Sequence, residues 1–180
     1  MDTSNVAGTE NLSLAAALPL GAVFDHVAMA ARRIRELLPL YRDVLGGQFY
    51  LGGDNVVVGY RGVQLRFADG SKIELLEPLA GSDFLDSFFR RNPLGGLHHV
   101  TFTVPSLAAA LAALRGRGYS VHGESRSDPA WQEVFVHPRE AHGALVQLAQ
   151  PGPGHGPAGG LTLDDVLAGH GSRGTGVSSP

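Results

Sequence analysis

The sequence predicts an α+β fold, two tandem βαβββ modules whose curved mixed sheets surround one cavity. Three observations predict it. A strand-like run opening at Phe24-Asp25-His26-Val27-Ala28 returns as Leu97-His98-His99-Val100-Thr101. Glu74 follows His26 after 48 positions, Gln147 follows His99 after the same 48, and the copies stay offset by 73 from His26/His99 to Pro78/Pro151. Each copy carries one imidazole and one oxygen-bearing side chain, so a duplicated module brings four metal-ligand atoms together and makes the shared space a metal cavity.

The elements follow in order. Residues 1–21 read as a flexible N-terminal tail; Leu12 to Leu20 is apolar but short, and the acids Asp2 and Glu10 precede it where a secretory signal carries Lys or Arg. The first βαβββ module spans 22–80. It opens with a strand over Val23–Ala30 and continues as a helical stretch over Arg32–Leu45, stopped by Gly46-Gly47. Pro39 breaks that stretch and starts its second piece, because proline is tolerated in a first helical turn and not in an interior. Strands follow near Gln48–Leu51, over Val56–Phe67 with a bend at Gly59 or Gly62, and over Lys72–Leu76, the last two joined by a turn at Asp69-Gly70. A helical connector, 81–95, holds the amphipathic run Ser82–Arg91 and ends near Asn92-Pro93. The second module, 96–150, repeats the order: a strand over Leu97–Val104, Ser106 as N-cap of a helix over Leu107–Arg117, Gly118 as its stop, then strands near Tyr119–His122, Glu133–Val136 and Ala144–Ala149. Residues 151–180 are rich in Gly and Pro and read as a flexible tail, with one or two helical turns within Leu161–Leu167.

Composition narrows the function classes. The chain of 180 residues is 43% hydrophobic, with a formal charge of −3 and no Lys/Arg stripe, which argues against nucleic acid and membrane partners. Its lack of cysteine excludes disulfides, thiolate metal sites and a cysteine nucleophile, and agrees with a cytoplasmic location.

Strand alternation assigns the faces. His26 shares its face with Phe24, Ala28 and Ala30, and His99 shares its face with Thr101 and Thr103, mainly small or polar residues downstream; the opposite faces, with Val27, Met29, Val100, Phe102 and Val104, are bulky and apolar. The histidine faces therefore line the cavity. His98 falls on the helix face as a structural residue. Glu74, set among apolar neighbours, needs a partner if buried, and a metal supplies one. Trp131 is a candidate wall on a loop over the cavity, with Asp128 and Gln132 beside it. His137, Arg139 and His142 read as a solvated turn, Arg90 and Arg91 as the end of the connector helix, and Ser125 and Ser127 form no spaced Ser-His-Asp set.

The motifs Asp25-His26-Val27-Ala28, Ile73-Glu74-Leu75-Leu76-Glu77-Pro78, Gly96-Leu97-His98-His99-Val100 and His137 to Leu148 resemble the vicinal oxygen chelate superfamily, and within it the methylmalonyl-CoA epimerase branch. The resemblance covers roughly residues 22–150. It implies a divalent ion (Co, Ni, Mn, Fe or Zn) held by His26, Glu74, His99 and Gln147, which chelates the vicinal oxygens of a small substrate, an acyl-CoA thioester among the candidates. It also implies proton transfer of the isomerase or lyase type through a metal-stabilised enolate. This chain departs from that branch in one respect: the carboxylate and amide are exchanged between Glu74 and Gln147, and the second acid of the branch falls near Leu65. Neither Gln147 nor Leu65 can be a base, which leaves Glu74 as the catalytic one. The wider resemblance also admits an Fe(II) or Mn(II) dioxygenase, a ring- or epoxide-opening enzyme of specialised metabolism, or a binding protein of the bleomycin-resistance kind. Edge strands in such a fold imply a homodimer.

Overall fold

A computed structural model describes residues 20–157 and 159–171. The expected N-terminal tail, apart from Leu20 and Gly21, and residues 172–180 lie outside the described residues. Eight strands build one continuous sheet: β1 (Val23–Ala30), β2 (Gln48–Asn55), β3 (Tyr60–Arg66), β4 (Lys72–Pro78), β5 (Gly96–Thr103), β6 (Val121–Ser125), β7 (Trp131–Val136) and β8 (Leu145–Pro151). Their order is β2-β3-β4-β1-β5-β8-β7-β6. Each module contributes four neighbours, with β1 parallel to β4 and β5 parallel to β8. The antiparallel pair β1–β5 fuses the modules at the centre, so His26 and His99 stand on adjacent strands. The two-module α+β expectation holds. The modules share one sheet.

The helices are α1 (Asp86–Arg91), α2 (Leu107–Gly116) and α3 (Leu163–Leu167). Ser106 caps α2 as expected, its hydroxyl accepting from the Ala109 amide, a contact worth about 1 kcal/mol. Gly118, at φ +81°, turns the chain out of that helix. The first helical stretch breaks at Pro39 as expected, but neither piece is α-helical. Proline has no N–H and clashes with the preceding turn, so Pro39 divides the region into a 3-10 turn at Ile34–Glu36 and a π-helical turn at Pro39–Val44. The expected strand over Val56–Phe67 begins only at Tyr60. Val56 to Gly59 form the hairpin turn instead, and the Gly59 amide closes it on the Asn55 carbonyl at 2.7 Å.

Three apolar clusters hold the sheet. Ile34, Leu38, Val63, Leu65, Ile73 and Leu75 form one under the first module, and Val104, Leu107, Ala110, Leu111, Val134 and Leu148 form its counterpart under the second. Between them Ala28, Ala30 and Leu76 pack on Leu85, Phe88 and Phe89 of the connector. Small residues at 28 and 30 leave room for those two phenyl rings.

The last segment departs from the loose tail read in the sequence. After β8 the chain crosses from the second module to the first, where α3 docks on β2 and Val166 joins the first cluster, fully buried. Polar contacts secure it. Arg61 chelates Asp54 at 2.6 and 2.8 Å, pairs with Glu77 at 3.1 Å and donates to the Leu167 carbonyl, while the Asp54 amide bonds the Gly171 carbonyl. A Gly/Pro-rich composition hid this, because docking depends on one buried valine and one arginine and not on average hydrophobicity. Among the described residues no helix is long and apolar enough to cross a membrane.

Candidate metal centre

Two β-bulges set the local geometry. In β1, Phe24 pairs with Phe102 but His26 pairs with Thr101, so Asp25 is the extra residue; in β5, Ala28 pairs with His99 and Met29 with Leu97, so His98 is extra. A bulge interrupts the two-residue alternation and lets consecutive side chains reach one side. Asp25 can thus turn to its neighbour, and His26 donates from Nδ1 to Asp25 Oδ2 at 2.7 Å. Lys72 Nζ lies 2.8 Å from both oxygens of the same carboxylate. His98, expected on the helix face, does pack on Phe88 of α1, yet it also lines the cavity. Its Nδ1 is 2.9 Å from His99 Nδ1.

Among the expected donors, His26, Glu74 and His99 converge. One donor atom each from His26, Glu74 and His99 lies within 4.8 Å of the others. Glu74 Oε2 is 3.5 Å from His26 Nε2 and 3.6 Å from His99 Nε2. Donors that share one ion at about 2.1 Å stand roughly 3 to 4 Å apart, so these separations fit a common ion. All three residues are buried, and His99 Nε2 has no hydrogen-bond partner. An orphaned buried nitrogen costs free energy unless something binds it. Burial also pushes the His99 pKa down to about 3, which keeps its lone pair available for a cation. His26 behaves differently. Burial acts to lower its pKa, but the Asp25 and Glu74 carboxylates outweigh it and the net shift is upward. With Nδ1 committed to Asp25, Nε2 is the nitrogen that faces the other donors, an orientation typical of ligating histidines. Two imidazole nitrogens and a carboxylate oxygen suit a borderline divalent ion.

Gln147 reaches the same place with its amide engaged on both sides. Thr101 Oγ1 donates to its Oε1 at 2.6 Å, and its Nε2 donates to Glu133 Oε2. Thr101 Oγ1 is also 3.1 Å from His26 Nε2. A polar line therefore runs from Glu133 through Gln147 and Thr101 to His26.

His26, Glu74, Gln147 and Glu133 open onto a cavity of about 810 Å³. His26, Glu74, Gln64 and Gln147 line it, with Tyr60, Phe84, Trp131 and Phe135 among the walls. Trp131 is a wall as expected, but from β7 and not from a loop. It stacks on His155 of the crossing segment at 4.4 Å. Asp128, Ser125 and Ser127 also face this space, while the expected Gln132 is not among its lining residues. Leu65, the position read for a second acid, is buried in the apolar cluster, and its neighbour Gln64 faces the cavity opposite Glu74. Sequence reasoning also missed Asp25, Thr101, Glu133 and His155. Glu133 could have been found by counting register, since Phe135 pairs with Gln147 and Glu133 lies two residues along the same face.

Comparison with known proteins agrees with this geometry. Mouse mitochondrial methylmalonyl-CoA epimerase is 33% identical over 130 residues, 70% of this chain and 71% of its own. The crystal structure of methylmalonyl-CoA epimerase from Mycobacterium tuberculosis superimposes with a TM-score of 0.65 at 28% identity, covering 72% of this chain and 88% of that one. A variant of the Streptomyces coelicolor methylmalonyl-CoA epimerase in complex with 2-nitronate-propionyl-CoA gives a TM-score of 0.61 at 27% identity, covering 71% and 96%. A family model matches residues 25–135, and the chain belongs to the glyoxalase/bleomycin resistance protein/dioxygenase superfamily.

Proposed function

We propose that the chain is a divalent-metal-dependent isomerase that moves the α-proton of an acyl-CoA thioester, in the manner of a methylmalonyl-CoA epimerase. The observation that carries this reading is the convergence of His26, Glu74 and His99 beside a cavity of about 810 Å³. The names of the relatives supply the substrate class.

His26, Glu74 and His99 would hold the ion. When bound, a divalent ion draws electron density from a carbonyl oxygen and so acidifies the adjacent C–H. Glu74 is the base of this reading. Its Oε2 faces the two imidazoles, and its Oε1 lies on the Gly62 side, where it accepts the proton. Gln147, expected as a fourth ligand, acts here as a positioning residue whose amide joins Thr101 to Glu133. Asp25 and Lys72 hold the His26 ring in one tautomer and orientation. The aromatic walls limit water around the α-carbon.

Two measurements test this. Elemental analysis after reconstitution should find one divalent ion per chain, and the loaded protein should interconvert the methylmalonyl-CoA epimers with incorporation of solvent deuterium at the α-carbon. Protein that retains no ion, or loaded protein that neither exchanges nor epimerises, overturns the reading.

A further inference from the structure

Besides Glu74 and the loop residue Asp128, the cavity holds a strand carboxylate that the reading above leaves without a role. Glu133 projects into the cavity from β7, at the far side of the sheet from Glu74: between β4 and β7 run β1, β5 and β8. The two carboxylates thus come from opposite modules. Their positions are not equivalent under the duplication. In the second module Phe135 pairs with Gln147, and Glu133 pairs with Ala149 two residues on. In the first module Gln64 pairs with Glu74, and Gly62 pairs with Leu76 two residues on. The counterpart of Glu133 is therefore Gly62, and the counterpart of Glu74 is Gln147. The strands of each module supply one cavity acid, Glu74 from β4 and Glu133 from β7. Two acids that are not equivalent under the pseudo-twofold flank the space between them from different walls.

Glu133 is also held in a fixed direction. The Trp131 indole N–H donates to its Oε2 at 3.0 Å, and the Gln147 amide donates to the same oxygen. Pre-aligned N–H donors on a carboxylate beside a cavity position it for contact with a bound molecule.

We propose that Glu133 is a second proton-transfer residue, acting on the face of the substrate opposite Glu74. The proposal rests on the isomerase reading. One carboxylate takes the α-proton, the C–H electron pair becomes the enolate double bond, and the carbonyl π pair moves onto oxygen. The other, protonated carboxyl then gives its proton to the opposite face of the same carbon as the electron pairs return. One carboxyl gains the proton that the other loses, configuration inverts, and no redox partner or co-reactant is needed.

The experiment follows hydrogen at the α-carbon in D₂O, with each methylmalonyl-CoA epimer presented separately to metal-loaded protein. In the wild type, two carboxyls on two faces give product carrying solvent deuterium, while unreacted substrate keeps its hydrogen. E133Q should lower epimerisation by at least about 100-fold, the usual scale of one acid–base group, and keep its metal. It should still exchange the α-proton of the one epimer whose proton faces Glu74, and not that of the other. Near-wild-type epimerisation by E133Q overturns the proposal, and so does loss of exchange for both epimers in a variant that keeps its metal. If E133Q does not fold, the wild-type labelling decides: substrate and product pools that gain deuterium at equal initial rates would mean that one carboxyl serves both faces. A wild type with no exchange on either epimer refutes the isomerase reading itself, a result distinct from all of these.

Discussion

Asp25 and His26 are neighbours in one strand, yet the Asp25 carboxylate lies 2.7 Å from His26 Nδ1. Regular alternation would send the two side chains to opposite faces, and the bulge at Asp25 brings them together. Lys72 in turn neutralises Asp25 and, with the hydrogen bonds from His26 and Lys72, holds its pKa low against the opposing effect of burial. Removing the carboxylate frees the ring to rotate and change tautomer. Asp25→Ala should weaken metal binding by about 10- to 100-fold, measured by competition with a chromogenic chelator.

His99→Leu should abolish stoichiometric metal and leave the metal-free protein within about 1 kcal/mol of wild type, because removing an unpartnered buried nitrogen offsets the lost contact to His98. Urea melts with and without metal check this. Added ion should raise the midpoint for wild type and not for the variant.

The pH dependence should belong to His26. Its pKa is raised, so in metal-free protein the charged ring adds stability below the unfolded value near 6.5, and that contribution is lost as pH rises through the folded value. Metal competes with the same proton. Affinity should therefore rise by about one decade per pH unit until His26 is neutral, then level off. His99, held at about 3, adds no such competition near neutrality. Calorimetric titrations across this range should show proton release falling toward zero as pH rises.

Gly62→Ala tests the room given to Glu74. A Cβ there would come 3.1 Å from Glu74 Oε1 and within ordinary contact of Tyr60 and Leu76. Displacing that oxygen by a few tenths of an ångström should lower kcat more than metal content. Equal losses of both would show that the carboxylate matters only as a ligand.

Arg61→Leu leaves Asp54 and Glu77 without their shared cation and removes the donor to the Leu167 carbonyl. A loss of about 3 kcal/mol is expected for this largely buried network. Hydrogen exchange should locate the added opening in residues 161–171.

Much of this was legible in the chain itself. The 48-residue spacing placed His26, Glu74 and His99, because parallel pairing of β1 with β4 and of β5 with β8 fixes which residues stand side by side. The same count failed where local irregularity intervenes. Bulges at Asp25 and His98 upset the assignment of faces. The span from Glu133 to Gln147 is two residues longer than that from Gly62 to Glu74, so a constant offset of 73 sets Glu133 against Tyr60 and conceals its true counterpart. The crossing segment was illegible for another reason: its attachment is tertiary, through Val166 and Arg61, and leaves no periodic trace.

That segment divides labour within the molecule. Gly154, His155, Gly156 and Leu161 form part of the cavity wall, yet they lie beyond the duplicated region that carries the donors. Reactivity is inherited from the repeat, whereas the fit around a substrate is partly set by an appended stretch that can vary without disturbing a single ligand. A chain shortened at Pro151, the end of the last strand, would keep both histidines and both acids but open one wall and remove Val166 from the core. Selectivity could thus be re-engineered at His155 and Leu161 alone.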